Sequence, residues 1–405
     1  MKLLEKELQK HFISLPKQYK YEVYNLAEKS EKFPSLTPDI HFSTLHLIHR
    51  LILVTGFQMK DKDDTVETED KQLLSGLEVY EYTTKKQPYT KTVYISKIDT
   101  TGSSLSRGVT RRLVQAYIST QTKDSLITTC HIHVFARSQP QYLFTNSARN
   151  KNKSILNDRQ LVGWWRSILS EEQKEQENEL SGYKIKKYWI IPGIDDEHTA
   201  LLDIKQQKEQ LNTTIGLNSN KWIYGHPYDT KALAKKVIPR FEDDGKCRYL
   251  GSLTNDDDSE NITVEEFWTM FGYSEECGSG KLTGIFVIRI EKNQEDMEEK
   301  QQPTDNEEEE DQQLFSNDQY TNIWNQFLGL EFNNDEENKK STHQFLKQFE
   351  NEFKSITTYI TTNNGSSKNE NSQLKPTHQT INLLNPKRKE PQYNVLVPKR
   401  RKTDS

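Results

Sequence analysis

Apolar residues recur along this chain with two different periods, and the changes of period divide it into elements. Runs rich in β-branched and aromatic residues at Leu45 to Phe57, Leu77 to Thr83 and Thr92 to Ile98 predict strands. The charged stretch Lys60 to Lys71 between the first two reads as an exposed loop. From Arg107 to Ile118 the spacing turns helical, with Val109, Leu113, Ala116 and Tyr117 on one stripe, and Thr128 to Phe135 returns to alternation. Asn157 and Asp158 are N-cap candidates for a helix carrying Leu161, Trp164, Trp165 and Ile168 on one face.

Further along, the pattern predicts a short strand at Tyr188 to Ile191, a helix over Asp195 to Gln210, a strand near Trp222 and a helix around Lys231 to Val237. An Asp-rich loop after Phe241 then leads to a helix near Val264 to Phe271 and a strand over Leu282 to Ile290. Glu291 to Gln313 is too polar to bury its backbone, so disorder is expected. Helical spacing resumes at Ile323, Trp324, Phe327 and Leu328, and again at Phe345, Leu346, Phe349, Phe353 and Ile356. The expected organisation is a domain over 1–290 with a loop insert at about 60–71, an acidic disordered linker over 291–313, docking helices over 314–360 and a disordered tail over 361–405. Alternating strands and helices imply a mixed α+β class, with a central mixed sheet surrounded by helices.

Composition adds constraints. Of 405 residues only 33% are apolar, which suits a sizeable core accompanied by polar loops and tails. The net charge of −5 hides acidic interior runs and a basic terminus, where Lys387, Arg388 and Lys389, then Lys399, Arg400, Arg401 and Lys402, flank Val395, Leu396 and Val397. Such a balance argues against a DNA-coating protein and suits a basic partner. Cys130, Cys247 and Cys277 lack paired spacing, which argues against a disulfide framework or zinc module and for a reducing compartment. No apolar run approaches membrane length, so a soluble protein is expected.

Several residues invite chemistry. Gly278 to Lys281 fails as a phosphate loop, because Glu275 and Leu282 stand where Gly and Ser or Thr are needed. His131 and His133, beside Cys130, read as sheet-face histidines rather than metal ligands. Adjacent Trp164 and Trp165 diverge by about 100° on a helix, so one can pack inward while the other lines a cleft. Asp243 and Asp244, between Glu242 and Lys246, form either a solvated acidic turn or a carboxylate site that orients or deprotonates an amine. Asp99 ends an apolar strand before Thr100, Thr101 and Gly102, the kind of place where ligand loops gather. Arg107 and Arg111, at a helix start, suit a pyrophosphate or ribose phosphate such as that of CoA, with Lys151 and Lys153 as possible additions; a plain basic surface is the other reading.

Five pieces in order carry a resemblance: Ser96 to Gly102, Gln141 to Phe144, Ile155 to Asn157 with Trp164 and Trp165, Ile238 to Lys246, and Val264 to Trp268. Over roughly Leu45 to Ile290 the chain resembles the fungal histone H3 lysine acetyltransferase family named for regulation of Ty transposition, a family structurally related to the CREB-binding-protein acetyltransferases. The resemblance implies acetyl-CoA as co-substrate, no metal, and direct transfer to histone H3 lysines. It casts Asp244 as the active-site carboxylate, Asp243 as its neighbour, Trp165 as the aromatic residue near the acetyl group, and Asp99 and Tyr142 as further active-site positions. Cofactor contacts carried over are Ile98, Asp99, Thr100, Arg107, Gly108, Val109, Thr110, Arg111, Phe135, Gln139, Ser154, Ile155, Leu156 and Trp164, while Lys246 matches a self-acetylated lysine.

Implied partners are histone H3 with H4, an anti-silencing-function histone chaperone and a nucleosome-assembly-type histone chaperone, with no membrane and no sequence-specific nucleic acid. The basic tail would serve nuclear import and strand addition to a partner. Two departures stand out: Gly245 replaces a Pro, which predicts a looser loop, and Gln139 replaces a small residue. The competing reading from another class is a catalytically inactive scaffold that binds histone chaperones. A nucleic-acid-binding factor would need basic and aromatic residues interleaved on the folded part.

Overall fold

A computed structural model describes residues 2–29, 31–33, 36–37, 45–58, 70–84, 89–124, 127–176, 182–205, 222–241, 243–253, 261–278, 281–293, 314–353 and 358–360. Most of the charged insert (through residue 69), the acidic stretch over 294–313 and the tail beyond 360 lie outside the described residues.

Helix α1 (Lys2–Phe12) precedes strands β1 (Tyr19–Glu28), β2 (Glu31–Phe33), β3 (Leu45–Gln58), β4 (Gln72–Thr84) and β5 (Thr90–Thr100). Then come α2 (Val109–Lys123), β6 (Thr129–Ala136), α3 (Asp158–Gln176), β7 (Tyr183–Ile190), α4 (Glu197–Lys205) and β8 (Trp222–Tyr224). Short helices α5 (Ala234–Val237), α6 (Gly245–Leu253) and α7 (Val264–Gly272) lead to β9 (Gly284–Lys292). Strand β10 (Leu314–Phe315), helices α8 (Asn317–Leu328), α9 (Asp335–Gln348) and α10 (Glu350–Phe353), and β11 (Thr358–Ile360) complete the series.

The strands form one sheet in the order β10-β1-β3-β4-β5-β6-β9-β7-β8, with β11 joined to β1 and β2 to β3. It is mixed: β5 and β6, β7 and β8, and β1 and β10 run parallel, the other pairs antiparallel. Parallel neighbours cannot be joined by a tight turn, and α2 supplies the crossover from β5 to β6.

Side-chain alternation sends Ile52, Val54, Leu77, Val79, Ile132 and Val134 into a core shared with α1, α2 and α3. On the other face Leu51 and Leu53 meet Phe327 of α8 and Phe345 of α9, while Phe135 and Ile285 meet the small helices α5 to α7. Each such side chain, fully buried, contributes about 1.5–3 kcal/mol. Between these two helical groups runs a strip of Tyr80, Tyr82, Tyr94 and Phe241. Cover on both faces explains why β4 is buried almost throughout rather than at every second residue. Polar side chains also fasten the layers: the Asn338 amide of α9 exchanges bonds of 3.1 and 2.9 Å with the Leu73 backbone.

The structure departs from the pattern reading where polar groups have partners far along the chain. Strand β1 went unpredicted because Glu22 and Asn25 interrupt it, yet Glu22 is paired with Lys71 at 2.8 Å and Asn25 accepts from Arg50 at 2.9 Å. Helix α5 is shorter than expected, since the Lys231 amide bonds the Asp229 side chain and Leu233 bridges Thr263 in extended form. Helix α4 begins at Glu197, behind Asp196, whose carboxylate accepts the Thr199 amide at 2.9 Å; residues 206–210 of the expected helix are outside the described set. Glu291 and Lys292 complete β9 rather than opening a linker.

Candidate functional site

The site begins with an irregularity in β5. Pairing with β4 runs Tyr80 to Tyr94 and Val79 to Ile95, then jumps to Glu78 with Lys97, leaving Ser96 as an inserted residue. A bulge places two successive side chains on one face, and Ser96 Oγ and Lys97 Nζ both reach Glu78 Oε2, at 3.0 and 2.8 Å. Ladder pairing of β5 with β6 ends at Ile95 and Val134. Past that point Ser96, Lys97 and Ile98 line one side of a narrow crevice, Phe135, Ala136 and Arg137 another, and Trp165 of α3 also lines it.

Ile98, Tyr142 and Leu161 line both this crevice and a much larger groove of about 680 Å3. The groove lies where β5 ends and α2 begins, and its lining includes Asp99, Thr100, Arg107, Gly108, Thr110, Arg111, Gln139, Ser154, Ile155, Leu156 and Trp164. Helix α2 therefore brings its electropositive start, with exposed Arg107 in the preceding turn, to the groove. Arg111 is anchored to Ser167 of α3 at 3.0 Å. Val109 is fully buried in the core and is not among the groove's lining residues, and Phe135 borders the crevice instead. Lys151 is exposed and is not among the groove's lining residues. The two indoles meet edge to face at 5.1 Å, so Trp164 faces the groove and Trp165 the crevice.

Asp99 sits at the groove with its carboxylate fully engaged. Oδ2 accepts the amides of Tyr142, Leu143 and Phe144 at 2.8, 3.0 and 3.3 Å. Oδ1 accepts the Thr100 amide at 2.8 Å and Lys153 Nζ at 2.7 Å. Burial draws the Lys153 ammonium below its ordinary pKa despite Asp99. Close approach here depends on Gly102, at φ +78°, where a Cβ would stand 2.5 Å from that of Lys153. The Tyr142 hydroxyl is likewise spent, donating to the Arg137 carbonyl at 2.7 Å and accepting the Gln139 amide at 2.8 Å, and burial raises its pKa to about 12. Both residues shape the site; neither presents a free proton acceptor.

On the other side of the crevice stands the loop between Phe241 and α6. Phe241 stacks on Tyr94 at 4.5 Å. Asp243 follows at φ 55°, and Asp244 caps α6: its carbonyl accepts the Arg248 amide and its Oδ1 the Lys246 amide at 2.9 Å. Asp244 is 0% exposed, and its second oxygen accepts the buried Lys246 ammonium. Asp243 is 54% exposed at the side chain and lies 2.8 Å from Lys97 Nζ. Helix α6 thus takes up residues 245–253 of the expected Asp-rich loop, of which 254–260 lie outside the described residues, and Gly245 is buried at the helix start rather than in a loose turn. A Cβ there would lie 2.8 Å from Phe135 Cζ and 2.9 Å from Glu276 Cδ, so the missing side chain lets both close on the turn.

The structure gathers Asp99, Tyr142, Trp164 and the Arg107 to Arg111 segment about the groove, Trp165 and Phe135 about the crevice, and Asp243 beside it through Lys97. Asp244 and Lys246 lie behind Asp243 as a buried pair. Sequence reasoning missed Lys97, Arg137, Arg248 and Glu276. Lys97 was within reach, because Tyr94-Ile-Ser-Lys-Ile98 breaks strict alternation at Ser96; the other three have no local signal. Among the described residues no group of His, Cys, Asp and Glu converges as a metal site.

A family model for the histone acetyltransferase KAT11-type domain matches residues 119–348. The chain is 32% identical over 213 residues to histone acetyltransferase rtt109 of Schizosaccharomyces pombe, covering 49% of this chain and 52% of that protein. Against histone acetyltransferase rtt109 of Aspergillus flavus the identity is 26% over 268 residues, 54% of this chain and 45% of the relative. The chain thus spans about half the length of the curated relatives it matches. The crystal structure of Rtt109 from Aspergillus fumigatus aligns with a TM-score of 0.66 at 19% identity, covering 88% of this chain and 98% of that one, and shares its fold.

Proposed function

Because the chain belongs to the family of histone acetyltransferase KAT11-type domains, we propose that it transfers an acetyl group from acetyl-CoA to lysine side chains of histone H3. The observation that carries this reading is that Ile98, Tyr142 and Leu161 line both the large groove and the crevice at Trp165, and that Lys97 of the crevice pairs with Asp243. A volume of about 680 Å3 suits a ligand of this kind, and the start of α2 with Arg107 and Arg111 suits its phosphates. In the reaction the lysine nitrogen attacks the thioester carbonyl, a C–N bond forms, the C–S bond breaks, and CoA departs as the thiolate, which takes up a proton.

A lysine amine titrates near 10.4, so it must shed a proton before attack. Asp99 has no free oxygen for it, and Asp244 gains one only when Lys246 lets go. Positioning in the crevice is therefore the larger contribution. A cysteine relay is disfavoured: burial raises the Cys130 thiol to about 12 and the Cys277 thiol to about 11, and Cys247 is raised by burial and then by Asp244. Self-acetylation of Lys246 would remove its charge and release the Asp244 carboxylate from the ion pair.

The finer reading places residues 1–290 as the catalytic domain, with the helices over 314–360 docked on it. The tail over 361–405 carries nuclear import and chaperone binding. Partners are histone H3 with H4, an anti-silencing-function chaperone and a nucleosome-assembly-type chaperone, in the nucleus. Labelled acetyl-CoA incubated with H3–H4 tests the reading. The wild-type chain transfers label, and Asp244→Asn lowers turnover about 100-fold while still binding acetyl-CoA by calorimetry, since the groove does not include Asp244. Absence of transfer by the wild type defeats the proposal; full activity of the variant defeats the role of Asp244.

A further inference from the structure

Resting on the acetyl-transfer reading, we propose that Lys97 is a positioning residue for that reaction: it ties the sheet, through Glu78, to Asp243 and so fixes the Asp243–Lys246 loop against the crevice at Trp165. The tie has a rigid end. Glu78, 1% exposed, is opposite Lys97 across the bulge and is held from four directions, by His49 Nε2 at 3.0 Å, the Tyr80 hydroxyl at 3.4 Å, Ser96 Oγ at 3.0 Å and Lys97 Nζ at 2.8 Å. Burial works against its charge, but His49 and Lys97 outweigh it and hold the carboxyl below its ordinary range. Lys97 is likewise opposed by burial yet held above its ordinary value by Glu78 and Asp243. Both groups are charged at neutral pH.

The other end is a turn that needs holding. Asp243 adopts φ 55°, a left-handed conformation uncommon for residues other than glycine, though aspartate takes it more readily than most. Its oxygens go to two cations, Lys97 Nζ at 2.8 Å and Arg248 at 3.6 Å. Arg248 continues to Glu276 at 2.7 Å, and Glu276 to Arg137. Charges thus alternate along Glu78, Lys97, Asp243, Arg248, Glu276 and Arg137, and Lys97 and Arg137 are the members that line the crevice. Only the Lys97 end of this series is embedded in the sheet, whereas Arg248 is 53% exposed at the side chain and holds weakly. As a cation, Lys97 is unsuited to receive a second ammonium, so its contribution runs through Asp243.

The experiment compares Lys97→Met, Lys97→Arg, Asp243→Asn and the double variant Lys97→Met with Asp243→Asn in the full chain. Each is assayed for label transfer to H3–H4 with separate kcat and acetyl-CoA KM. Displacement of a reacting group by about 1 Å costs on the order of 100-fold, so Lys97→Met is expected to lose about that in kcat while acetyl-CoA KM stays within about twofold. Lys97→Arg recovers most of the loss. The double variant falls no further than the worse single change, because both cut one tie. Asp243→Asn cuts it from the exposed end and reproduces the loss even should Lys97→Met not fold. Wild-type turnover in either single variant, multiplied effects in the double, failed rescue by Arg, or a parallel rise in acetyl-CoA KM overturns the proposal. A wild-type chain that transfers nothing counts against the acetyl-transfer reading instead.

Discussion

Two buried carboxylates, Asp99 in the groove wall and Asp244 behind Asp243, are held in opposite ways. Asp99 gathers donors from three separated stretches: the Thr100 amide beside it, the amides of residues 142–144, and the ammonium of Lys153. Asp244 takes its donors from two residues along its own helix, the amide and the ammonium of Lys246. Long-range bonds fix the groove side before any ligand arrives, as a preorganised binding site requires. The opposite side is assembled from local contacts and a series of ion pairs reaching out to solvent. A groove held by long-range bonds thus faces a turn held by its own helix and by a single tie to the sheet.

The sharpest way to break the comparison is Asp99→Ala. It leaves the Lys153 ammonium buried without its carboxylate and frees the amides of Tyr142 to Phe144. Removing one partner of a buried pair costs about 3–5 kcal/mol, so the thermal midpoint should fall by several degrees and acetyl-CoA binding should vanish in calorimetry. A variant that melts like the wild type would show that the clamp contributes little.

Gly245→Ala probes the side that carries the turn. The new Cβ would press on Phe135 Cζ and Glu276 Cδ, both within 3.0 Å. Overpacking of this kind costs roughly 1–3 kcal/mol, partly offset by the better helix propensity of alanine. Turnover should fall several-fold while acetyl-CoA affinity holds, because the groove does not include residue 245. Equal losses in both would mean that the two sides are not independent.

How much of this was legible in the sequence follows the same division. Strands β3 to β6 and helices α2, α3 and α7 announce themselves because apolar periodicity is local. The resemblance in Ser96 to Gly102, in Trp164 and Trp165, and in Asp243 to Lys246 named the candidate residues; the structure brings the first two segments to the groove and crevice and ties Asp243 to them through Lys97. What periodicity cannot show is which polar residue will be satisfied, and by whom. Glu22 made β1 look like loop until Lys71 supplied its charge. Helix α6 was hidden because its start, Asp243-Asp-Gly245, is turn-like on its face; the cap formed by Asp244 is a property of the folded backbone. Asp99, expected as an active-site position, proves saturated because three of its four amide donors come from residues 43 to 45 positions away.

The gentlest test lies at the outer end of the ion-pair series. Arg248 stands at the surface, 3.6 Å from Asp243 and 2.7 Å from Glu276, and exposed pairs contribute about 0–1 kcal/mol. Arg248→Ala should therefore leave the thermal midpoint nearly unchanged. Its kinetic effect should be small too, within about threefold in kcat, because Lys97 still holds the turn from the sheet. What distinguishes the outer pair from the inner one is the degree of screening by salt, over about 8 Å at physiological ionic strength: it weakens the Arg248 pair more than that of Lys97, whose side chain is 24% exposed against 53% for the Arg248 side chain. Raising salt should bring the wild type toward the variant without carrying either toward Lys97→Met. A loss on Arg248→Ala as large as that on Lys97→Met would put the anchor of the turn at the surface, and the rigid side of the molecule would then end at the groove.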